Sequence, residues 1–214
     1  MNNRLIESLI LSAVLLFWVH TAAAAINIFG ASETASTNLD AFKYWNSVLQ
    51  RIEEQKLELK QRPCNQTNQL TCNYEQFQGF VSGLKGKDKL TQLREINQLV
   101  NKARYIPDQD NWSQKDYWNT PLEFMARFGD CEDHAITKFM ALEILNYTVQ
   151  DYRIVAVQDL NLKVGHAVLV VEVDGKSYLL DNQINQVVEV TSVRHYQPVF
   201  SISRTTWWRH SKAP

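Results

Sequence analysis

Residues 131–146 read CEDHAITKFMALEILN, a stretch that we expect to form a helix, and the character of the sequence changes directly after it. The runs that follow are rich in β-branched and aromatic residues, namely YRIVAVQ (152–158), GHAVLVVEV (165–173) and KSYLLD (176–181). Such runs are typical of strands. The pair Asp174-Gly175 separates the last two runs and favours a two-residue hairpin turn between them.

The sequence before this helix predicts three further helices. Asn38 can cap the first, which extends to about Gln61. The second follows Cys72 and ends at Gly86, and the third follows Asp88. In each, apolar residues recur at helical spacing.

The remaining segments complete the predicted architecture. Residues 105–121, which are aromatic and polar, are expected to form a loop. Towards the C-terminus, QVVEV (186–190) and PVFSIS (198–203) add strands to an antiparallel sheet. Because helices come first and strands later, the sequence predicts an α+β fold.

The composition is that of a chain with a packed core. Of the 214 residues 45% are hydrophobic, and this length suggests one domain or at most two small ones. The 22 basic and 23 acidic side chains give a formal net charge of −1. This balance gives no electrostatic reason to expect nucleic acid or an anionic membrane as the main partner.

Residues 1–25 have the parts of a secretory signal peptide. A basic residue lies near the start, Leu9 to Val19 form an apolar run, and Ala22 to Ala25 offer cleavage sites. An uncleaved membrane anchor is the alternative, but the run is shorter than the roughly 20 apolar residues that span a bilayer. We therefore expect an exported protein with a flexible lead-in over residues 26–38 and a single domain over residues 39–214.

Export affects which of the three cysteines can form a disulfide. In an oxidising compartment, Cys64 and Cys72 can form a disulfide that closes the polar loop between them. Such a short closure contributes about 2–3 kcal/mol by the loop-entropy argument. The alternative is two unpaired loop thiols. In either case Cys131 is the odd cysteine.

Cys131 lies at the expected start of its helix. The positive end of the helix dipole and the unpaired backbone N–H groups there favour a thiolate. The alternative is a buried and inert cysteine, which is common for this residue type. The neighbouring Asp130, Glu132 and Asp133 oppose the dipole, because nearby carboxylates raise the pKa of a thiol. This conflict would be relieved by a cation close to the thiol.

The hairpin turn brings a histidine and a carboxylate together. If Asp174-Gly175 is a two-residue turn, Val173 pairs with Lys176. Asp181 then opposes Val168 and lies diagonally from His166 on the same sheet face, about 7–8 Å away at the backbone and within side-chain reach. Packing Cys131 against this face would complete a Cys-His-Asp arrangement, although a lone strand histidine is more often structural.

The acidic residues beside Cys131 suggest a calcium site, because calcium prefers several hard oxygen ligands. The alternative is a solvated helix N-terminus, where acidic residues are ordinarily favourable, and spacing alone favours this alternative. A transition-metal site using Cys131 and His134 is a further alternative, but no other Cys/His pair supports it.

These motifs together resemble the bacterial transglutaminase-like cysteine proteinases, and among them the LapG-type periplasmic proteases. The similarity extends from about Trp45 to Trp208. The resemblance rests on segments that match the family in sequence and in spacing: GDCED (129–133), GHAVLVV (165–171), LLDN (179–182), DNW…YWNTPLEF (110–124) and YQPVFSIS…WW (196–208). His134 departs from the family, in which an aromatic residue is expected at this position.

The resemblance implies a papain-like, transglutaminase-like core with Cys131, His166 and Asp181 as the catalytic triad. It implies dependence on calcium, with Asp130 and Glu132 as metal ligands and Asp133 as a further ligand or a structural cap. The implied activity is periplasmic cleavage of the N-terminal region of a large surface adhesin at a di-alanine site, which promotes biofilm dispersal. An inner-membrane cyclic-di-GMP receptor would act as the inhibitor.

Two other functions remain open at the level of sequence. The same core could transfer an acyl group to an amine, as transglutaminases do. The chain could also be a non-catalytic module that responds to calcium, although the intact Cys, His and Asp set argues against this.

Overall fold

The computed structural model describes residues 26–62, 64–65 and 67–212 and confirms the α+β fold. The helices of this part of the chain are α1 (Lys43–Gln61), α2 (Gln69–Gly83), α3 (Lys89–Val100), α4 (Asp108–Trp112), α5 (Pro121–Arg127) and α6 (Cys131–Ile144). The strands are β1 (Ser32–Ser36), β2 (Tyr152–Asp159), β3 (Val164–Val173), β4 (Lys176–Leu180), β5 (Val188–Glu189), β6 (Tyr196–Ile202) and β7 (Trp207–Ser211).

The seven strands form one sheet in the order β1-β7-β6-β2-β3-β4-β5, and adjacent strands are antiparallel. The β3–β4 hairpin has the predicted register, with Val173 paired to Lys176. Asp174 and Gly175 have φ values of 52° and 80°. Positive φ at both central residues is the requirement of a type I′ turn, which explains the Asp-Gly pair.

The sheet separates two hydrophobic cores. Leu169 and Val171 of β3 pack in the core that contains the helices, whereas Val168 and Val170 pack in a second core. This alternation follows from the two-residue period of a strand. Helix α6 lies in the first core, where Phe139 contacts Tyr152 of β2 at a ring-centroid distance of 4.6 Å.

The expected flexible lead-in over residues 26–38 does not match the structure. Ile26 and Ile28 are buried in the second core, and β1 pairs with β7 at the edge of the sheet. Two forces hold the segment: burial of apolar side chains and an ion pair in which Glu33 lies 2.6 Å from Arg153. We call residues 26–30 the N-terminal arm.

The predicted signal peptide, residues 1–25, lies outside the described residues. Within the described part of the chain, none of the helices combines the length and the apolar character that a membrane span requires.

The predicted helices exist, but some of their bounds differ. Helix α1 begins at Lys43, because Asn38 accepts a hydrogen bond from the Asp40 backbone N–H (2.9 Å) in a turn instead of capping the helix. Helix α2 begins before Cys72 and ends three residues before Gly86. Asp88 caps α3 as predicted by accepting from the Thr91 N–H at 2.9 Å.

The disulfide between Cys64 and Cys72 is present in the structure, which confirms the pairing. The expected loop over residues 105–121 contains the short helix α4 and is followed by α5, which the sequence analysis missed. Thr120 and Glu123 form a capping box at the start of α5, where Pro121 occupies the first turn. This is a recognised signature of a helix N-terminus.

Candidate active site

The turn before α6 is built for close approach of the backbone to a side chain. At Gly129 an added Cβ would lie 1.9 Å from Asp133 Oδ2, so only glycine fits between Phe128 and Asp130. Phe128 has a φ of 62°, which redirects the chain from α5 into α6. The Gly129 carbonyl accepts from the Ile106 N–H at 2.9 Å, which ties the turn to the preceding loop. Cys131 is thereby placed as the first residue of α6, as predicted.

Asp133 acts as a structural cap. The backbone N–H and the side-chain amide of Asn119 donate to its two carboxylate oxygens at 2.6 Å each. The Asp130 N–H also donates to Asp133 Oδ2, at 3.3 Å. Because both oxygens are used inside the protein, Asp133 is less available to a metal ion than its neighbours.

His166 and Asp181 meet at the ends of β3 and β4, as the predicted register requires. His166 Nε2 lies 2.9 Å from Asp181 Oδ1, and both residues are buried. Asp181 also accepts from the Gln183 backbone N–H (2.9 Å) and from the Tyr196 hydroxyl (2.7 Å). Burial raises the pKa of Asp181, but hydrogen bonds from His166, Gln183 and Tyr196 outweigh it and hold the pKa below its usual value.

Tyr196 was missed by the sequence analysis. It begins β6, which pairs with β2 through Asp159 opposite Tyr196. The tyrosine falls within the YQPVFSIS segment already noted, but nothing in that pattern shows that β6 lies beside β2 or that the hydroxyl reaches Asp181. The contact joins residues that are distant in sequence and becomes visible only in the fold.

The Cys131 thiol lies against the same strand as His166. Burial, followed by the charge of Glu132, raises the pKa of the thiol, while the backbone N–H of Ala167 lowers it. The Cys131 sulfur donates to Glu132 Oε2 at 3.1 Å, and His166 Nδ1 lies 3.4 Å from the Gln183 side-chain nitrogen. Among the described residues, no hydrogen bond joins Cys131 directly to His166. The structure therefore places the three predicted residues Cys131, His166 and Asp181 in one region. Of these, His166 and Asp181 are joined by a hydrogen bond.

A cluster of carboxylates surrounds the start of α6. The predicted pair Asp130 and Glu132 is joined by Asp108 of α4 and by Asp116, which the sequence analysis missed. One carboxylate oxygen from each of Asp108, Asp116 and Glu132 lies within 4.8 Å of the others. The sequence signal was the presence of several acidic residues in the predicted loop over residues 105–121, but which of them turn towards Cys131 depends on the path of the loop.

The electrostatics of this cluster are unfavourable for negative charge. Burial, followed by repulsion from neighbouring carboxylates, raises the pKa of Asp130 to about 8. Burial likewise raises the pKa of Asp108 to about 6. Asp108 Oδ1 and Asp130 Oδ1 are buried and have no hydrogen-bond partner within the described chain. Buried oxygens of this kind are normally paired, so the cluster fits a divalent cation with a preference for oxygen ligands.

His134 is better explained by packing than by metal binding. Its Nδ1 lies 2.7 Å from the Asp130 carbonyl oxygen, and its ring meets Phe124 edge-on at 4.9 Å. Burial lowers its pKa. Within residues 26–212 as described, it belongs to none of the groups that could hold a metal ion.

The fold and these motifs define a cysteine proteinase. Residues 61–210 match the family described as bacterial transglutaminase-like cysteine proteinase (BTLCP), and the chain belongs to this family. Its structure is similar to that of LapG.

Solved structures of LapG from Legionella pneumophila are similar to this chain over most of its length. One LapG structure and a calcium-bound one are each 26% identical, with a TM-score of 0.60, and the matches cover 73% of this chain and 86% of LapG. An EGTA-treated LapG structure is 25% identical with a TM-score of 0.61, covering 74% and 86%. None of the curated proteins compared with the chain matches it.

Proposed function

We propose that the chain is a calcium-dependent periplasmic cysteine endopeptidase in which Cys131, His166 and Asp181 form the catalytic triad. The observation that carries this proposal is the buried His166–Asp181 pair, with Nε2 and Oδ1 2.9 Å apart, beside a cysteine at a helix N-terminus. The chain's membership of a cysteine proteinase family supports the same chemistry. A histidine oriented by a carboxylate is what a thiol needs in order to act as a nucleophile.

The residues support a two-step reaction. Asp181 accepts a hydrogen bond from His166 Nε2–H, which leaves the Nδ1 lone pair to take the thiol proton of Cys131. The sulfur attacks the scissile carbonyl carbon and forms a C–S bond. His166 then gives its proton to the leaving nitrogen as the C–N bond breaks, which leaves a thioester.

Water completes the cycle. His166 takes one proton from water as the oxygen attacks the thioester carbon. The C–S bond breaks, the acid product leaves, and the proton returns to the Cys131 sulfur. The backbone N–H of Cys131, at the start of α6, can donate to the oxygen that becomes negative in each step.

Calcium is the cation that best fits the acidic cluster. Asp130 and Glu132 would hold it, and Asp108 and Asp116 offer further oxygen ligands. When bound, it supplies positive charge that offsets the carboxylates next to Cys131 and so favours the thiolate. The similar LapG protein has been solved in a calcium-bound and an EGTA-treated form, which supports the choice of metal.

The proposed substrate is the N-terminal region of a large repeat adhesin at the cell surface, cleaved at a di-alanine site. Its release would promote biofilm dispersal, and an inner-membrane cyclic-di-GMP receptor would hold the enzyme inactive. Support for the substrate, the receptor and the periplasmic location comes from the resemblance to LapG-type proteases. The predicted signal peptide in residues 1–25 adds support for export.

The decisive experiment incubates the protein with an adhesin fragment that contains the di-alanine site and measures product masses. We expect wild type to produce two smaller fragments in calcium and Cys131→Ala to leave the fragment intact. Circular dichroism of the variant checks that the fold is retained. Equal processing by both proteins would refute the catalytic assignment.

The same assay separates hydrolysis from acyl transfer. With an added primary amine, a product heavier by the mass of the incorporated amine would identify a transglutaminase-type reaction. Two fragments without such a gain support the endopeptidase. An intact fragment with wild type in calcium would instead favour a binding role.

A further inference from the structure

Both oxygens of the Asp181 carboxylate are occupied by hydrogen-bond donors, and the donors differ. Oδ1 accepts from His166 Nε2 and from the Gln183 backbone N–H, each at 2.9 Å. Oδ2 accepts from the Tyr196 hydroxyl at 2.7 Å. A carboxylate held at one oxygen can rotate, whereas one held at both has a fixed plane. Tyr196 therefore determines which oxygen remains for His166.

The ring of Tyr196 is itself held in place. Phe29 of the N-terminal arm meets it edge-on at a centroid distance of 5.9 Å, and His195 packs against it at 4.4 Å. The His166 ring lies 5.6 Å away, and Tyr196 is only 4% exposed. With aromatic neighbours around it and little access to water, the hydroxyl has Asp181 as its partner. Burial and the hydrogen bond to Asp181 raise the pKa of Tyr196, so it remains a donor.

We propose that Tyr196 is a positioning residue of the active site, which acts through Asp181 to orient His166. This inference rests on the proposed function, because it gives Tyr196 a role in the reaction of Cys131, His166 and Asp181. Loss of the hydroxyl leaves Asp181 Oδ2 buried without a donor, and a buried unsatisfied carboxylate oxygen is costly. The carboxylate then rotates or attracts water, and His166 spends less time with its proton on Nε2.

The test compares Tyr196→Phe with Tyr152→Phe. Tyr152 is a matched control because it is also a buried tyrosine on a central strand, but it packs in the helix-side core. With the adhesin fragment and saturating calcium, we expect Tyr196→Phe to lower kcat by about 10-fold with KM unchanged, since an interaction that orients the base matters mainly in the transition state. Tyr152→Phe should leave both constants close to wild type.

A double-mutant cycle separates positioning from general stability. If Tyr196 acts through Asp181, adding Tyr196→Phe to Asp181→Asn should cause little further loss of kcat, because the residue through which it acts has already been changed. Multiplicative losses in the double variant would overturn the proposal. An unchanged kcat for Tyr196→Phe would also overturn it.

A spectroscopic measurement tests the same idea without substrate. In protein labelled with ¹⁵N-histidine, the His166 ring resonances, assigned with His166→Gln, report which nitrogen carries the proton. We expect Tyr196→Phe to shift them away from the Nε2–H form, and unchanged resonances would contradict the inference. Failure of the proposed function is distinguishable, because it appears as equal cleavage by wild type and Cys131→Ala, whatever happens at Tyr196.

Discussion

The two halves of the candidate active site are held in opposite ways. In the first, which we call the sheet half, Asp181 accepts one hydrogen bond from each of His166, Gln183 and Tyr196. All three contacts lie within the protein. In the second, the acidic cluster at the start of α6, which we call the helix half, Asp108 and Asp130 each have one buried carboxylate oxygen without a hydrogen-bond partner within the described residues. The carboxylate of the sheet half therefore has its hydrogen-bond partners within the folded protein. The helix half instead brings several carboxylates close together.

This difference indicates what each half contributes. A carboxylate with several donors has a lowered pKa and a fixed orientation, and so it can hold a histidine ready for reaction. A cluster of buried carboxylates with raised pKa values is unfavourable unless a cation neutralises it. We infer that the sheet half sets the geometry of the base, and that the helix half makes the activity responsive to calcium.

The largest effect should come from the sheet half. Asp181→Asn keeps the shape of the side chain but removes the charge and the acceptor at one oxygen, so His166 adopts the wrong tautomer. We expect kcat for adhesin cleavage to fall by about 10³- to 10⁴-fold. Calcium affinity, measured by isothermal titration calorimetry, should change little. A variant that lost calcium binding as well would show that the two halves are not separate.

At the helix half we expect substitutions to weaken calcium binding, which the Asp181→Asn substitution should leave unchanged, and to have a smaller effect. Asp130→Ala and Glu132→Ala should each weaken calcium binding by at least about 10-fold, because ligand positions in a metal site are highly sensitive to substitution. Cleavage should fall to the level that wild type shows in EGTA, while circular dichroism stays unchanged. Asp110→Ala is the control, since this exposed acid lies on α4 but outside the cluster. Calcium-stimulated cleavage by Asp130→Ala or Glu132→Ala would contradict the metal assignment.

The smallest expected effect is on thermal stability and concerns Lys138 of α6. It is fully buried, and burial lowers its pKa to about 7, an effect that the charge of Asp181 partly offsets. The folded protein therefore binds fewer protons than the unfolded chain between about pH 7 and the ordinary lysine pKa of about 10.4. The destabilisation caused by burying this lysine is greatest at and below pH 7, and it fades as the pH rises through this window.

The Lys138→Met substitution should remove the pH-dependent destabilisation that the buried lysine causes. We expect its melting temperature to exceed that of wild type by a few degrees at pH 7, with the difference shrinking towards pH 10, because replacing a buried charge by an apolar side chain of similar size is often stabilising. Exposed Lys102→Met serves as the control in the same thermal melts. A gain that stays constant from pH 7 to pH 10 would show that titration of Lys138 is not its source.

Local patterns in the sequence predicted the sheet half of the site. The Asp174-Gly175 turn sets the register of β3 and β4, and that register alone brings His166 to Asp181. The start of α6 at Cys131 was likewise predicted correctly. These features depend on residues close together in the chain, where turn geometry and strand periodicity act directly.

What the sequence did not predict depends on long-range packing. Tyr196 reaches Asp181 only because β6 lies beside β2, and Asp116 joins the cluster only through the path of the loop after α4. The lead-in over residues 26–38 was expected to be flexible because this segment is small and polar overall. Two isoleucines, Ile26 and Ile28, instead bury its first residues, and no short-range pattern shows where they dock.

The reactivity of the Cys131 thiol tests most directly whether calcium bound at the helix half activates the proposed nucleophile. Cys131 is the free thiol among the three cysteines, because Cys64 and Cys72 are bonded to each other. The measurement is the rate of alkylation by iodoacetamide at pH 7 in calcium and in EGTA. We predict that calcium raises the rate by about 10-fold or more in wild type, since each unit by which the thiol pKa falls gives about tenfold more thiolate, and that Glu132→Ala shows no such response. An equal rate in calcium and in EGTA for wild type would contradict the account.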